Sequence, residues 1–212
     1  MFGKVMKKID IENWKRKEHY LHFSNLDDPY WGLVVEVDCS KAFATAKSRS
    51  QSFFLLCLHA SLQAANATEE FGYRIVDSEV CCFAPLHASA TIMRADETFG
   101  CCFIEFKPDF EEFAANAMCQ IELVKSRSGM CLENDFRYDQ IYYSSLPWLK
   151  FSALTFARNL KGNDAIPKFI FGKANQQGDK MMMPVALQVH HALVDGLHVA
   201  RFFDRFQAIL DN

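Results

Sequence analysis

The sequence has no CxxC pair, no long basic run and no apolar stretch of membrane-spanning length. Each absence closes off a class of function. Eight cysteines are present, including the neighbours Cys81-Cys82 and Cys101-Cys102, but none has the spacing of a zinc or redox motif. Their settings are apolar, as in Leu55-Leu56-Cys57-Leu58, which reads as buried thiols in a reducing compartment. The net charge is -3. Lys7-Lys8 and Lys15-Arg16-Lys17 are short and mixed with acids, which argues against a nucleic-acid partner. A membrane-crossing helix needs about 20 apolar residues in succession, and none is found. The N-terminus lacks the apolar core of a signal peptide. A cytoplasmic protein is expected, with reduced thiols and no membrane.

What is present is a core. Half of the 212 residues are hydrophobic and 14% are aromatic. That suffices for one large domain over 1–212, with no repeat and no low-complexity linker. Asp10 to Asn13 offers caps for a short helix through Trp14 to about Phe23, broken by Asp27-Asp28-Pro29. Trp31 to Val37 alternates and is rich in β-branched residues, so a strand is expected. Helices follow at Ser40 to Ser48 and Ser52 to Ala67, the second apolar almost all round and so buried. Strands are expected at Tyr73 to Val76, Glu79 to Phe83, Ala88 to Arg94 and Phe99 to Phe106, and a helix from Pro108-Asp109 to Ser126. Ser128 to Asp139 is irregular and polar. Ile141 to Ser144, Phe151 to Phe156 and Lys168 to Lys173 read as strands. Strands and helices are interspersed without strict βα alternation. That favours an α/β two-layer sandwich, a mixed sheet with packed helices, over a doubly wound parallel fold.

The chemistry is expected near the C-terminus, in Val189-His190-His191-Ala192-Leu193-Val194-Asp195-Gly196-Leu197-His198. A strand from Met181 carries Val185, Leu187, Val189 and His191 on one parity, with His190 on the other. After Asp195-Gly196, Leu197, Ala200, Phe203, Phe206 and Leu210 recur at helical spacing. An imidazole at a strand end, backed by a turn, an acid and a helix start, is placed for proton transfer. The alternative is a core histidine satisfied by one hydrogen bond. Adjacent histidines on a strand face opposite ways and no further ligands follow at useful spacing, so no metal is expected.

Three segments together carry a resemblance. They are Asn13-Trp14-Lys15-Arg16-Lys17-Glu18-His19, Ser144-Ser145-Leu146-Pro147-Trp148, and Gln188 to Phe202. In order, spacing and total length they resemble the chloramphenicol acetyltransferase family over nearly the whole chain. Peptide-synthetase condensation domains also have HHxxxDG, but they are about twice as long. Dihydrolipoamide acyltransferase domains have the DG with a different residue before the histidine. Neither is similar around Trp14 to His19.

The resemblance implies a homotrimer with active sites between subunits, acetyl-CoA as acyl donor and a small-molecule alcohol as acceptor. It implies that His191 is the general base, and that no acyl-enzyme forms, in keeping with the absence of a GxSxG elbow. Asp195 would pair with Arg16 and hold the turn. An ordinary helix cap is the other reading of Asp195, and both can hold. Ser144 would donate to the oxyanion, or be a turn serine before Leu146-Pro147. Trp148 and Tyr143 would lie near the coenzyme, or be core aromatics. His190 and His198 receive no role, and Gly196 permits the turn. Phe23, Phe99, Cys131 and Ile170 would face the acceptor. Ile170 stands where the family usually has a threonine, Phe23 where it has a tyrosine, and Cys131 where its best-known members have a phenylalanine. Each change removes a polar handle or shrinks a wall, so the implied substrate is chloramphenicol with fewer fixed contacts. The rival functions are the same transfer to a different alcohol, and a non-catalytic binding member of the family.

Overall fold

The computed structural model describes residues 5–133, 137–158 and 165–212, with the side chains of 5 and 6 left out. Ten strands and five α-helices occur among them: β1 Val5–Lys8, α1 Lys17–Ser24, β2 Tyr30–Asp38, α2 Ser40–Arg49, α3 Phe53–Asn66, β3 Tyr73–Val76, β4 Glu79–Phe83, β5 His87–Met93, β6 Phe99–Ile104, α4 Phe110–Ser126, β7 Gln140–Ser145, β8 Lys168–Phe171, β9 Asn175–Gln177, β10 Lys180–His190 and α5 Gly196–Leu210. The main sheet runs β2-β10-β8-β7-β5-β6, with β9 on β10, and a smaller antiparallel sheet runs β1-β4-β3. β7 is parallel to both β8 and β5, while β10 is antiparallel to β2, β8 and β9. The mixed α/β architecture expected from the sequence is therefore present.

Alternation along the strands separates two faces of the main sheet. In β8, Phe169 and Phe171 are buried while Lys168 and Ile170 are part-exposed. In β7, Tyr143 is buried while Tyr142 and Ser144 are part-exposed. The buried face meets α5 through packed aromatic rings. Tyr143 lies on Phe169 at 5.3 Å between centroids, Phe169 on Phe202 at 5.0 Å, and Phe202 on Phe71 at 4.8 Å. Such rings contribute both area and oriented contacts, so this chain of phenylalanines is the centre of the core. Helix α3 is buried over most of its surface, as its apolar sequence requires. Ser52 and Asp109 cap α3 and α4 by accepting from Leu55 N and Glu112 N.

Three expectations need correction. Asp10 caps only a single 3-10 turn, Ile11–Asn13; Trp14 is extended and α1 begins at Lys17. Residues 151–156 form no strand. Phe151 instead packs on Gly172, where an added Cβ would come within 2.8 Å of its ring. Two short strands, β1 and β9, have no alternation long enough to announce them; β9 is made by the hairpin that turns at Gly178, which has φ +62. The irregular segment after Ser128 is irregular where it is described, and residues 134–136 of it lie outside the described residues.

Candidate active site

Strand β10 is long because its residues are apolar and buried on both faces, and it ends at His190. Its last backbone groups then make a tight turn: the His190 carbonyl accepts from Leu193 N and Val194 N, both at 3.0 Å. His191 is the first residue of that turn. Its N–H donates to Pro29 O at 2.8 Å and its carbonyl accepts from Arg16 Nη2 at 3.3 Å. The peptide that carries the imidazole is thus held from both sides, by segments some 160 residues earlier.

The ring is held by aromatic packing. Phe23, from α1, lies face to face with it at 3.9 Å and 11°. Trp31, from β2, packs at 5.5 Å and donates its indole N–H to Val194 O at 3.1 Å, so it braces the ring and the turn together. Nδ1 of His191 is enclosed and meets no hydrogen-bond partner among the described residues. His190 points elsewhere, buried edge-on against Tyr30.

Asp195 has both of the roles considered. One carboxylate oxygen pairs with Arg16 Nη1; the other caps α5 by accepting from Leu197 N at 3.1 Å. Partial burial works against the charge on Asp195. The hydrogen bond from Arg16 and the charges of His198 and Arg16 outweigh it, and hold the carboxyl below the usual range. The pair is half-buried rather than buried: the side chains are 13% and 29% exposed. His198, which had no role in the sequence, closes a capping box by accepting from Asp195 N at 3.2 Å. Burial lowers the proton affinity of this histidine, against Glu70 at 3.4 Å, which favours the charged form. Gly196 is not a steric requirement of the turn, since a Cβ there would meet nothing within 4 Å.

Ser144 belongs to strand β7, not to a turn, and its Oγ lies 2.8 Å from Thr91 Oγ1. It opens on a cleft of about 330 Å³ with Thr91, Phe99, Leu146, Trp148 and Phe54 in its walls. Trp148 is 59% exposed at the rim. A second hollow of about 370 Å³ adjoins it through Phe54, Ser145 and Pro147. Tyr143 lies in the core, 2% exposed, with its hydroxyl 3.0 Å from Ser61 Oγ, out of reach of any ligand in that cleft. Ile170 flanks Ser144 in register on β8. Cys131 sits in a left-handed conformation with its Sγ 3.4 Å from Arg94 Nη2, and does not line the cleft. Among the described residues no group of three or more His, Cys, Asp or Glu could hold a metal ion. No helix there is long and apolar enough to cross a membrane.

The site residues therefore fall into two groups. His191, Phe23, Trp31, Arg16 and Asp195 form one; Ser144, Thr91, Phe99, Ile170 and Trp148 form the other. Strand register separates them. Ala186 stands beside Ile170, and Ile170 beside Ser144. His191 lies five positions past Ala186, which at about 3.3 Å per residue is roughly 15 Å along the sheet, and two strands to the side. Within one chain these two groups cannot touch the same reacting atom. Trp31 and Thr91 were beyond sequence reasoning, because their relevance depends on strand pairing that no local pattern encodes.

A sequence model of the family described as chloramphenicol acetyltransferase matches residues 5–207. A chloramphenicol acetyltransferase of Campylobacter coli is 33% identical over 209 residues, covering 97% of this chain and 98% of its own. One from Klebsiella sp is 30% identical, covering 96% and 93%. A solved chloramphenicol acetyltransferase superposes with a TM-score of 0.90 at 30% identity, over 96% of this chain and 100% of that one. With the match extending over almost every described element, the chain belongs to the chloramphenicol acetyltransferase family.

Proposed function

We propose that the protein transfers the acetyl group of acetyl-CoA to a hydroxyl of chloramphenicol, with His191 as general base and Ser144 as oxyanion donor. The observation that carries this reading is the support built around His191. Arg16, Pro29 and Asp195 fix its peptide and its turn, and Phe23 and Trp31 fix its ring. A proton acceptor has to be oriented before it is useful, and this constellation does that without a nucleophile. The narrow, mainly apolar cleft beside Ser144 suits a thioester arm whose carbonyl oxygen becomes negative as the acceptor attacks. As the acceptor oxygen bonds to the thioester carbonyl carbon its proton passes to a His191 ring nitrogen. The tetrahedral intermediate then collapses, the C–S bond breaks, and the departing coenzyme A sulfur takes that proton as it leaves as the free thiol.

The separation of His191 from Ser144 supports a homotrimer in which the base of one chain faces the serine of another. Cyclic assembly gives every such interface the same pair of groups. The eight unpaired cysteines accord with a reducing, cytoplasmic setting. Transfer to a different alcohol is the second reading, favoured by Ile170 and Phe23, which lack the hydroxyls of the family's usual threonine and tyrosine.

The test joins assembly and activity. Sedimentation should give three times the 24.3 kDa chain mass. His191→Ala and Ser144→Ala preparations, each strongly impaired, should regain activity when unfolded and refolded together, because some mixed sites then have both groups. A monomer active at nanomolar concentration would reject the shared site. Release of coenzyme A thiol with other alcohols but not with chloramphenicol would reject the named acceptor.

A further inference from the structure

We infer that Thr91 is a positioning residue for Ser144, holding the serine hydroxyl so that its proton points into the cleft. The inference rests on the proposed oxyanion role of Ser144 and extends it to a residue outside the three motifs of the sequence.

Ser144 has a paired strand on each side. The neighbouring strands each present one side chain beside it on the same face. On β8 that residue is Ile170, directly in register. On β5 it is Thr91, one step beyond the Ala90–Tyr143 pair, with its Oγ1 2.8 Å from Ser144 Oγ. Isoleucine can neither donate nor accept, so of these two flanks only Thr91 offers a hydrogen bond. Both hydroxyls lie in the wall of the same cleft, and both are part-exposed.

A hydroxyl has one proton and two lone pairs. If Ser144 gives its proton to Thr91, it has none left for an oxyanion. If Thr91 donates instead, the Ser144 proton is free to face the cleft, and the two bonds run in one direction and reinforce each other. Negative charge developing in the cleft selects this second arrangement. Thr91 suits the task because a β-branched side chain on a strand has few rotamers, which restrains the position of its hydroxyl oxygen. The effect belongs to the rate, since the bond strengthens only as charge develops.

Thr91→Val removes the hydroxyl and keeps the shape. It should lower kcat about tenfold, with KM for acetyl-CoA and for chloramphenicol within about twofold of wild type. The pH dependence of kcat/KM should not move, because the base is elsewhere. Thr91→Ser should restore most of kcat, which controls for packing damage by valine. Ser144→Ala should cost more than Thr91→Val, and adding Thr91→Val to Ser144→Ala should cost little further, because Thr91 acts only through the serine. A Thr91→Val enzyme with wild-type kcat, a loss confined to KM, or full additivity with Ser144→Ala would each overturn the assignment. If Ser144→Ala is itself neutral, the oxyanion role of Ser144 fails, and the role of Thr91 with it. Loss in Ser144→Ala without loss in Thr91→Val rejects Thr91 alone.

Discussion

The imidazole of His191 and the phenyl ring of Phe23 lie face to face, 3.9 Å apart and 11° from parallel. A residue expected to face the acceptor is thus a support for the proposed base. Replacing His191 with Gln should lower kcat by about 10²–10⁴-fold while acetyl-CoA still binds, and His190→Ala should cost far less. Phe23→Leu should lower kcat by up to about tenfold through loss of the stack, and Phe23→Tyr should leave it nearly unchanged. Steady-state kinetics on the four variants checks this. A dispensable His191 with an essential His190 would overturn the assignment.

Arg16 and Asp195 join the N-terminal segment to the start of α5. Each single replacement by alanine should reduce stability and activity, and the double replacement should cost less than the sum by about 1–2 kcal/mol. The partial exposure of both side chains keeps that coupling below the value of a fully buried pair. Asp195→Asn keeps an oxygen for the Leu197 N–H, so it should retain roughly the 1 kcal/mol of the cap that Asp195→Ala loses. Denaturant unfolding at fixed chain concentration measures all four; strict additivity would mean that the two groups do not couple.

Ile170 stands beside Ser144 without a hydrogen-bonding group. Ile170→Thr should raise kcat/KM for chloramphenicol by about 2- to 10-fold, the worth of one hydrogen bond. An unchanged kcat/KM would show that the missing hydroxyl has no bearing on this acceptor.

Three histidines govern stability in mild acid. Burial lowers the proton affinity of His59, His87 and His198, against the hydrogen bonds and acids nearby that favour the charged form. In the unfolded chain they titrate near their ordinary value of about 6.5. Below that pH the unfolded state therefore binds more protons, so stability is full above about pH 7 and falls as the pH drops through 6.5 and beyond. Melting temperatures measured from pH 8 to pH 5 should decline only on the acid side, and a midpoint that rises on acidification would contradict this.

Much of the architecture was legible because its signals are local. Capping acids, a wholly apolar α3 and the change of period after Asp195 depend on neighbours within a turn or two. The strand expected at 151–156 failed because Phe151 is placed by packing on Gly172, a contact across sequence. In the site, His191, Arg16, Asp195 and Ser144 were reached through motif resemblance. Tyr143 was not separable from a coenzyme residue until the parity of β7 placed its ring on the core side. Trp31 and Thr91 act through partners more than 50 residues away, so nothing in their own neighbourhoods marked them.

The placement of His191 and Ser144 at opposite ends of one sheet changes how defective copies poison a mixed population. On the proposed two-chain site, a chain lacking only the imidazole disables one site wherever it is incorporated, and total output falls in simple proportion to its dose. A chain lacking both groups disables two sites, one on each side of it, and output falls as the square of the intact fraction. At equal expression with the normal chain, about half of the activity survives in the first case and about a quarter in the second. On that proposal, strand order sets the genetic dominance of a lesion.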